Sequence, residues 1–198
     1  CSNYPRRSNR RRTTTTDVTL LTHPAAERLE DRFLLSAGDL DPSYGIGGRI
    51  TTQGAPGDAS MAQQTNGRIV LGSSNDGDFV LIRYNEDGSL DTTFDHDGRL
   101  TTDFPNYNAN TSVVATKPDN GIIAASSAGN VFLLACYLED GSLDKRFGGT
   151  GLVTVDFGNS VNNEYIYVAS IIIQPDEKIV ISGSSVVNGF THAMLARD

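Results

Sequence analysis

The 198-residue chain contains no run of 18 apolar residues, so no stretch has the length and character of a membrane-spanning helix. Its longest apolar stretches, such as Ile171-Ile172-Ile173 and 131–135, have the length of strands. Cysteine is scarce. Cys1 sits in a polar tail and Cys136 inside an apolar strand pattern, which is not the even, close spacing of a disulfide framework. Cys136 therefore reads as a small buried hydrophobe. Cations are scarce beyond the first 39 residues, where nine basic residues face 19 acids. A body that acidic cannot track a phosphate backbone, which excludes nucleic acid as its partner.

Catalytic signatures are missing too. No Gly-x-Ser-x-Gly elbow occurs. His23, His96 and His192 lie far apart with no partner at helical spacing, so no zinc motif is supported. The glycines at 45–48 lack a surrounding βαβ unit and read as a turn, not a dinucleotide fingerprint. No cofactor is expected.

The first 24 residues form a basic arm. Five arginines fall within 6–12 and four threonines follow, a composition that cannot bury apolar surface and predicts disorder. Residues 25–38 place Leu29, Phe33 and Leu34 at helical spacing, which predicts a short amphipathic helix ending near Gly38. Within it, "RLEDRFLLS" after an arginine-rich arm resembles the Leu-Glu-x-Arg-x-Leu-Leu-Ser segment of large planctomycete surface or exported proteins. That resemblance implies an extracellular or cell-surface location.

From residue 39 onward the chain repeats. "LDPSYGIGGRITT" begins at Leu40, "LDTTFDHDGRLTT" at Leu90 and "LDKRFGGTGLVTV" at Leu143. In each, Leu-Asp (Leu40-Asp41, Leu90-Asp91, Leu143-Asp144) precedes an aromatic (Tyr44, Phe94, Phe147) and then a glycine (Gly48, Gly98, Gly151). A second block recurs in phase, as "QTNGRIVLGSS", "KPDNGIIAASS" and "QPDEKIVISGSS". A third, "DFVLIRYNEDGS", "NVFLLACYLEDGS" and "THAMLARD", follows each. Asp87-Gly88 and Asp140-Gly141 mark the turns of that block.

The units run at about 40–89, 90–142 and 143–198, and the last reads as cut short, which predicts a fragment of a longer array. Each unit is expected to hold four short strands; in the second these are 99–103, 112–116, 121–126 and 131–138. Four antiparallel strands per unit of about fifty residues is the period of an all-β, partial β-propeller-like array of about three four-stranded units. A stacked solenoid normally has shorter turns.

Two local expectations follow. Lys178 stands where the other units have Gly, so the third unit's turn is expected to differ. The stretch Asn85 to Phe94, echoed at Leu138 to Phe147, is expected to be the hinge between consecutive sheets. Its acids invite a metal or catalytic reading. Counted from Asn85 or from Asp95, however, an EF-type loop would need Gly where Leu90 or Leu100 stands. Acid pairs that recur in every unit point to turns rather than to a single glycosidase-like site.

The pattern Leu-Asp-x-x-Phe-Gly-x-x-Gly, Gln-Pro-Asp-Gly-Lys-Ile, Phe-x-Leu-x-Arg-Tyr-x-x-Asp-Gly-Ser-Leu-Asp resembles the delta-60 repeat family of bacterial β-propeller-like proteins. Leu90, Asp91, Phe94 and Gly98 carry it, with Pro175, Asp176, Lys178, Ile179, Arg83, Tyr84, Asp87, Gly88 and Ser89. Tyr44 for Phe, Asp95 for Gly and Cys136 for Arg depart from it. The resemblance implies an extracellular or surface repeat protein without an established common activity.

The expected function is a non-enzymatic binding or scaffold module at the cell surface, contacting a protein or glycan ligand through its loops. An open strand edge predicts self-association. Two alternatives stand beside it: the repeat part of an exported enzyme whose catalytic domain lies downstream, and a calcium-stabilised adhesin segment.

Overall fold

The computed structural model describes residues 38–52, 59–109, 112–156, 166–187 and 190–197. The basic arm (1–24) and all of the expected helix except Gly38 lie outside the described residues, as do Cys1, His23, Tyr165 and Asp198. No helix among the described residues is long and apolar enough to cross a membrane.

Among the described residues, eleven strands build three antiparallel sheets. The first contains β1 (Ser60–Gln63), β2 (Ile69–Asn75), β3 (Asp78–Tyr84) and β4 (Arg99–Thr102), in that spatial order. The second contains β5 (Ser112–Thr116), β6 (Ile122–Ala128), β7 (Val131–Tyr137) and β8 (Leu152–Asp156), again in order. The third has three strands, with β10 (Ile179–Val187) between β9 (Ile166–Ile173) and β11 (Phe190–Arg197). The expected all-β, propeller-like repetition is what the chain adopts.

The sheets are out of phase with the sequence units by one strand. β4 opens the second unit yet pairs with β3 of the first, Leu81 opposite Leu100. β8 opens the third unit and pairs with β7, Leu134 opposite Val153. The segment from Asn85 to Phe94 is therefore not a hinge between sheets; it joins the third and fourth strands of one sheet. The reason is local. Just after Tyr84 the chain turns, Leu90 bridges back to Tyr84, and the Asp91 amide donates to the Arg83 carbonyl at 2.9 Å. A segment tied so soon to the strand it left cannot carry the chain to another sheet.

The turn before each middle strand also corrects an expectation. Gly67, Asn120 and Glu177 share one position, with φ of 82°, 62° and 64°. The closing bonds, Gln64 to Arg68, Lys117 to Gly121 and Gln174 to Lys178, are all 2.8 Å. The third turn does not differ. Glu177 accepts the left-handed backbone that Gly and Asn take more readily, and Lys178 lies one residue beyond the demanding position.

Each sheet has a leading and a trailing face. Val70, Phe79 and Leu81 on the leading face of the first sheet pack against Val114, Ile122, Leu133 and Ala135 on the trailing face of the second. Ile123, Phe132 and Leu134 on the second sheet's leading face pack against Ile166, Ile171, Ile179 and Ile181 of the third. β6 and β7 are buried on both faces along their whole length, so their sequences are continuously apolar or small rather than alternating. Each fully buried Phe, Leu or Ile there contributes about 1.5–3 kcal/mol.

Candidate functional site

The repeated segments 40–52, 90–102 and 143–155 fold alike. The amide of Tyr44, Phe94 or Phe147 donates to the carbonyl of Asp41, Asp91 or Asp144 at 3.2, 3.1 or 2.9 Å. The amide of Gly48, Gly98 or Gly151 then donates to the carbonyl of the aromatic at 2.9, 2.7 or 2.8 Å. Those glycines have φ of 80°, 84° and 89°. A side chain on them would overlap Leu40, Leu90 or Leu143, 2.4–2.8 Å from the nearest atom. The Leu-to-Gly spacing thus encodes a chain reversal in which the glycine sits directly on the leucine.

The acids are bound within their own turns. The Ser89 amide donates to Asp87 Oδ1 at 2.8 Å, and the Ser142 amide and hydroxyl donate to Asp140 Oδ1 at 2.9 and 2.6 Å. Asp41 Oδ1 receives the Ser43 amide and hydroxyl at 2.8 and 2.6 Å. These serine bonds hold the carboxyls of Asp41, Asp87 and Asp140 below the usual range. Gly88 and Gly141 turn the backbone there, and the Gly141 position lies against the Phe94 ring.

Asp91 does more. Its Oδ1 takes the Thr93 amide and hydroxyl at 3.0 and 2.6 Å. Its Oδ2 takes the Nε of Arg83 at 2.7 Å and lies 3.1 Å from the Nε of Arg68. Burial alone would raise its pKa, but the Thr93 bonds and the Arg83 charge outweigh it, and the carboxyl stays below its ordinary value. Arg83 is among the largest fully buried side chains. Its guanidinium carbon lies 4.5 Å from the Phe94 ring centroid, and Nη1 donates to the Glu139 carbonyl. Glu139 belongs to the loop after β7, so Arg83 clamps the first sheet to the second. The Asp95 amide adds a backbone bond to the Asp140 carbonyl at 3.2 Å. Tyr137 Oη donates to Thr102 Oγ1 at 2.9 Å, and burial pushes the Tyr137 phenol up.

The equivalent position between the second and third sheets is built otherwise. Cys136 replaces Arg83, and Arg146 replaces Thr93. Arg146 holds the buried Asp144 through Nε and Nη2, both at 2.8 Å. These bonds pull the Asp144 carboxyl down to about 2. The cation has moved from the strand to the loop, and Arg146 is largely exposed where Arg83 is buried. A cavity of about 410 Å³ remains beside Cys136, rimmed by Lys117, Asp119, Asp144 and Arg146. A second, about 360 Å³ and lined by Leu134, Phe147, Val153 and Ile181 among others, shares Arg146 and Phe147 with it. Burial pushes the free Cys136 thiol up to about 11. It is protonated at neutral pH and is not a nucleophile.

The repeated acids are thus bound mostly within their own turns and loops, and at the first junction the Asp91–Arg83 pair also ties two sheets together. His96 is an exposed turn residue with φ of 70°, and His192 lies exposed on β11, an edge strand. Tyr137 is buried, while Tyr167 is exposed on β9. The residue-type reading missed Arg146 as the substitute cation. Its signal was present in the repeat alignment, where Arg-to-Cys in the strand accompanies Thr-to-Arg in the loop.

A family model described as a domain of unknown function (DUF5122) beta-propeller matches residues 64–94 and 117–147. The chain is similar to that family, which is related to delta-60-type repeats, over those two stretches. Each runs from the turn before a middle strand to the aromatic of the following loop, and so contains one copy of the Asp and Phe positions described above. No curated protein matches the chain.

Proposed function

We propose that this chain is a non-enzymatic scaffold and binding module of an extracellular or cell-surface protein, part of a longer delta-60-type array. The observation that carries the reading is the use of its acids. Asp41, Asp87 and Asp140 each accept bonds within their own turns, and Asp91 and Asp144 are neutralised by arginines. Carboxylates spent in this way hold a fold together. The surface location is supported by the likeness of "RLEDRFLLS" to planctomycete export-associated segments. Partners under this reading are a protein or glycan met by the loops, and a further sheet met along the open edge of the third.

The test is surface proteolysis of intact cells that make the protein, with a cytosolic marker followed in parallel. Digestion of the chain while the marker survives is the expected result. Protection until lysis would overturn the location and with it the reading.

A further inference from the structure

We propose that the cleft between loop 92–96 and turn 140–142 binds one ring of a neutral sugar. This rests on the binding-module reading and gives it a ligand class and a place. The cleft encloses about 300 Å³ and is lined by Thr92, Thr93, Asp95, His96, Asp140 and Ser142. That is the low end of the range for small-ligand sites, which suits a single ring. One wall comes from the loop between β3 and β4, the other from the loop between β7 and β8.

Two of its side chains depart from the repeat. Asp95 and His96 stand where the third unit has Gly148 and Gly149. All four residues take left-handed backbone, with φ of 43° and 70° against 58° and 79°. Glycine adopts that conformation at no steric cost, and other residues are strained in it. The second unit thus keeps the shape of the loop while placing an acid and an imidazole on positions that suit glycine. Packing does not explain the exchange, because the His96 side chain is 99% exposed. Backbone bonding does not explain it either. The Asp95 amide donates to the Asp140 carbonyl at 3.2 Å, and Gly45 makes the equivalent bond to Asp87 at 2.9 Å.

The lining selects the ligand. Thr93 and Ser142 commit their hydroxyl protons to Asp91 and Asp140, each at 2.6 Å, and keep only lone pairs for another group. Both Ser142 bonds go to Oδ1 of Asp140, which leaves Oδ2 to accept. Asp95 adds a second carboxylate, while the Thr92 hydroxyl and the His96 imidazole can donate as well as accept. Separate acceptors with two donors among them match a ring of hydroxyls, each of which gives and takes a hydrogen bond. No Lys or Arg lines the cleft, so phosphate, sulfate and acidic sugars find no cation there. Among the described residues no group of three or more His, Cys, Asp or Glu is placed to hold a metal ion. A basic side chain would meet the carboxylates but leave the Thr92 and His96 donors unmatched.

Titration of the 198-residue chain with the methyl glycosides of glucose, galactose, mannose and N-acetylglucosamine, followed by amide NMR shifts, tests this. Saturable shifts at Asp95, His96 and Ser142 are expected with at least one of these sugars. The double variant Asp95→Gly, His96→Gly removes both side chains and returns the loop to the glycines of the third unit. It should weaken the affinity about tenfold or more. It should also melt at the same temperature or higher, because the strain at both positions is relieved. A chain that shifts with none of the sugars, or a variant that binds them as the parent does, overturns the proposal. A variant that loses binding and melts lower overturns it too, since the two residues would then be structural. Shifts with arginine methyl ester and with no sugar would make the cleft a site for a basic partner instead. These outcomes leave the surface-proteolysis result untouched, so the two readings fail separately.

Discussion

The two inter-sheet junctions solve one problem with different parts. Between the first and second sheets, Arg83 fills the space from the strand, stacks on Phe94 and reaches a carbonyl of the next loop. Between the second and third, Cys136 leaves that space open and Arg146 holds the acid from outside. What both keep is a cation on a buried aspartate. What differs is whether the cation also cross-links the sheets. At these two junctions charge neutralisation of the buried Asp is kept, and the clamp is an addition found at only one of them.

Removing the clamp has the largest expected effect. Arg83→Ala leaves Asp91 buried with only Arg68 beside it and should cost about 3 kcal/mol or more, read as a lower urea midpoint. Arg146→Ala should cost clearly less, since its side chain is solvent-screened. Equal losses would mean the two junctions are not energetically distinct.

Next comes the chain reversal. Gly98→Ala forces a side chain onto Leu90 at positive φ and should destabilise by about 1–3 kcal/mol, measured by the same titration. Gly151→Ala should do the same, because this feature is common to both junctions.

Transplanting one junction into the other gives a smaller and more informative change. Cys136→Arg alone buries an arginine beside an acid whose two oxygens Arg146 already occupies, and should lower stability. Adding Arg146→Thr should recover most of the loss, and a double-mutant cycle isolates the coupling. No recovery would mean that the space beside Cys136 cannot take an arginine.

The smallest effect concerns acid. The Asp144 carboxyl is held at about 2 by Arg146, below its unfolded value of about 4. A depressed carboxylate stabilises fully above the unfolded pKa, and that share is lost as pH falls from about 4 toward 2. In Arg146→Ala the acid limb of the stability profile should flatten across that window. An unchanged slope would remove Arg146 as the cause.

Much of this was legible beforehand where the signal is local. The Leu, Asp, aromatic and Gly positions could be read because each serves one tight loop, and β5 was placed at its observed bounds, 112–116. The phase of the sheets was not legible. Whether 99–102 joins the sheet before or after it depends on pairing with β3, and nothing in "GRLTT" specifies that partner. The third turn misled because Glu177 carries a backbone conformation that its residue type does not advertise. The repetition of the acids pointed to turns, and Asp41, Asp87 and Asp140 do accept bonds within theirs, but the unequal arginines required seeing which side chain entered the gap.

The one-strand offset also bears on synthesis. The first sheet lacks its last strand until Thr102 has emerged, by which point the second unit is already under way. Each sheet thus waits for the sequence unit after its own to begin, and folding on the ribosome becomes a relay in which the opening strand of one unit completes the sheet before it.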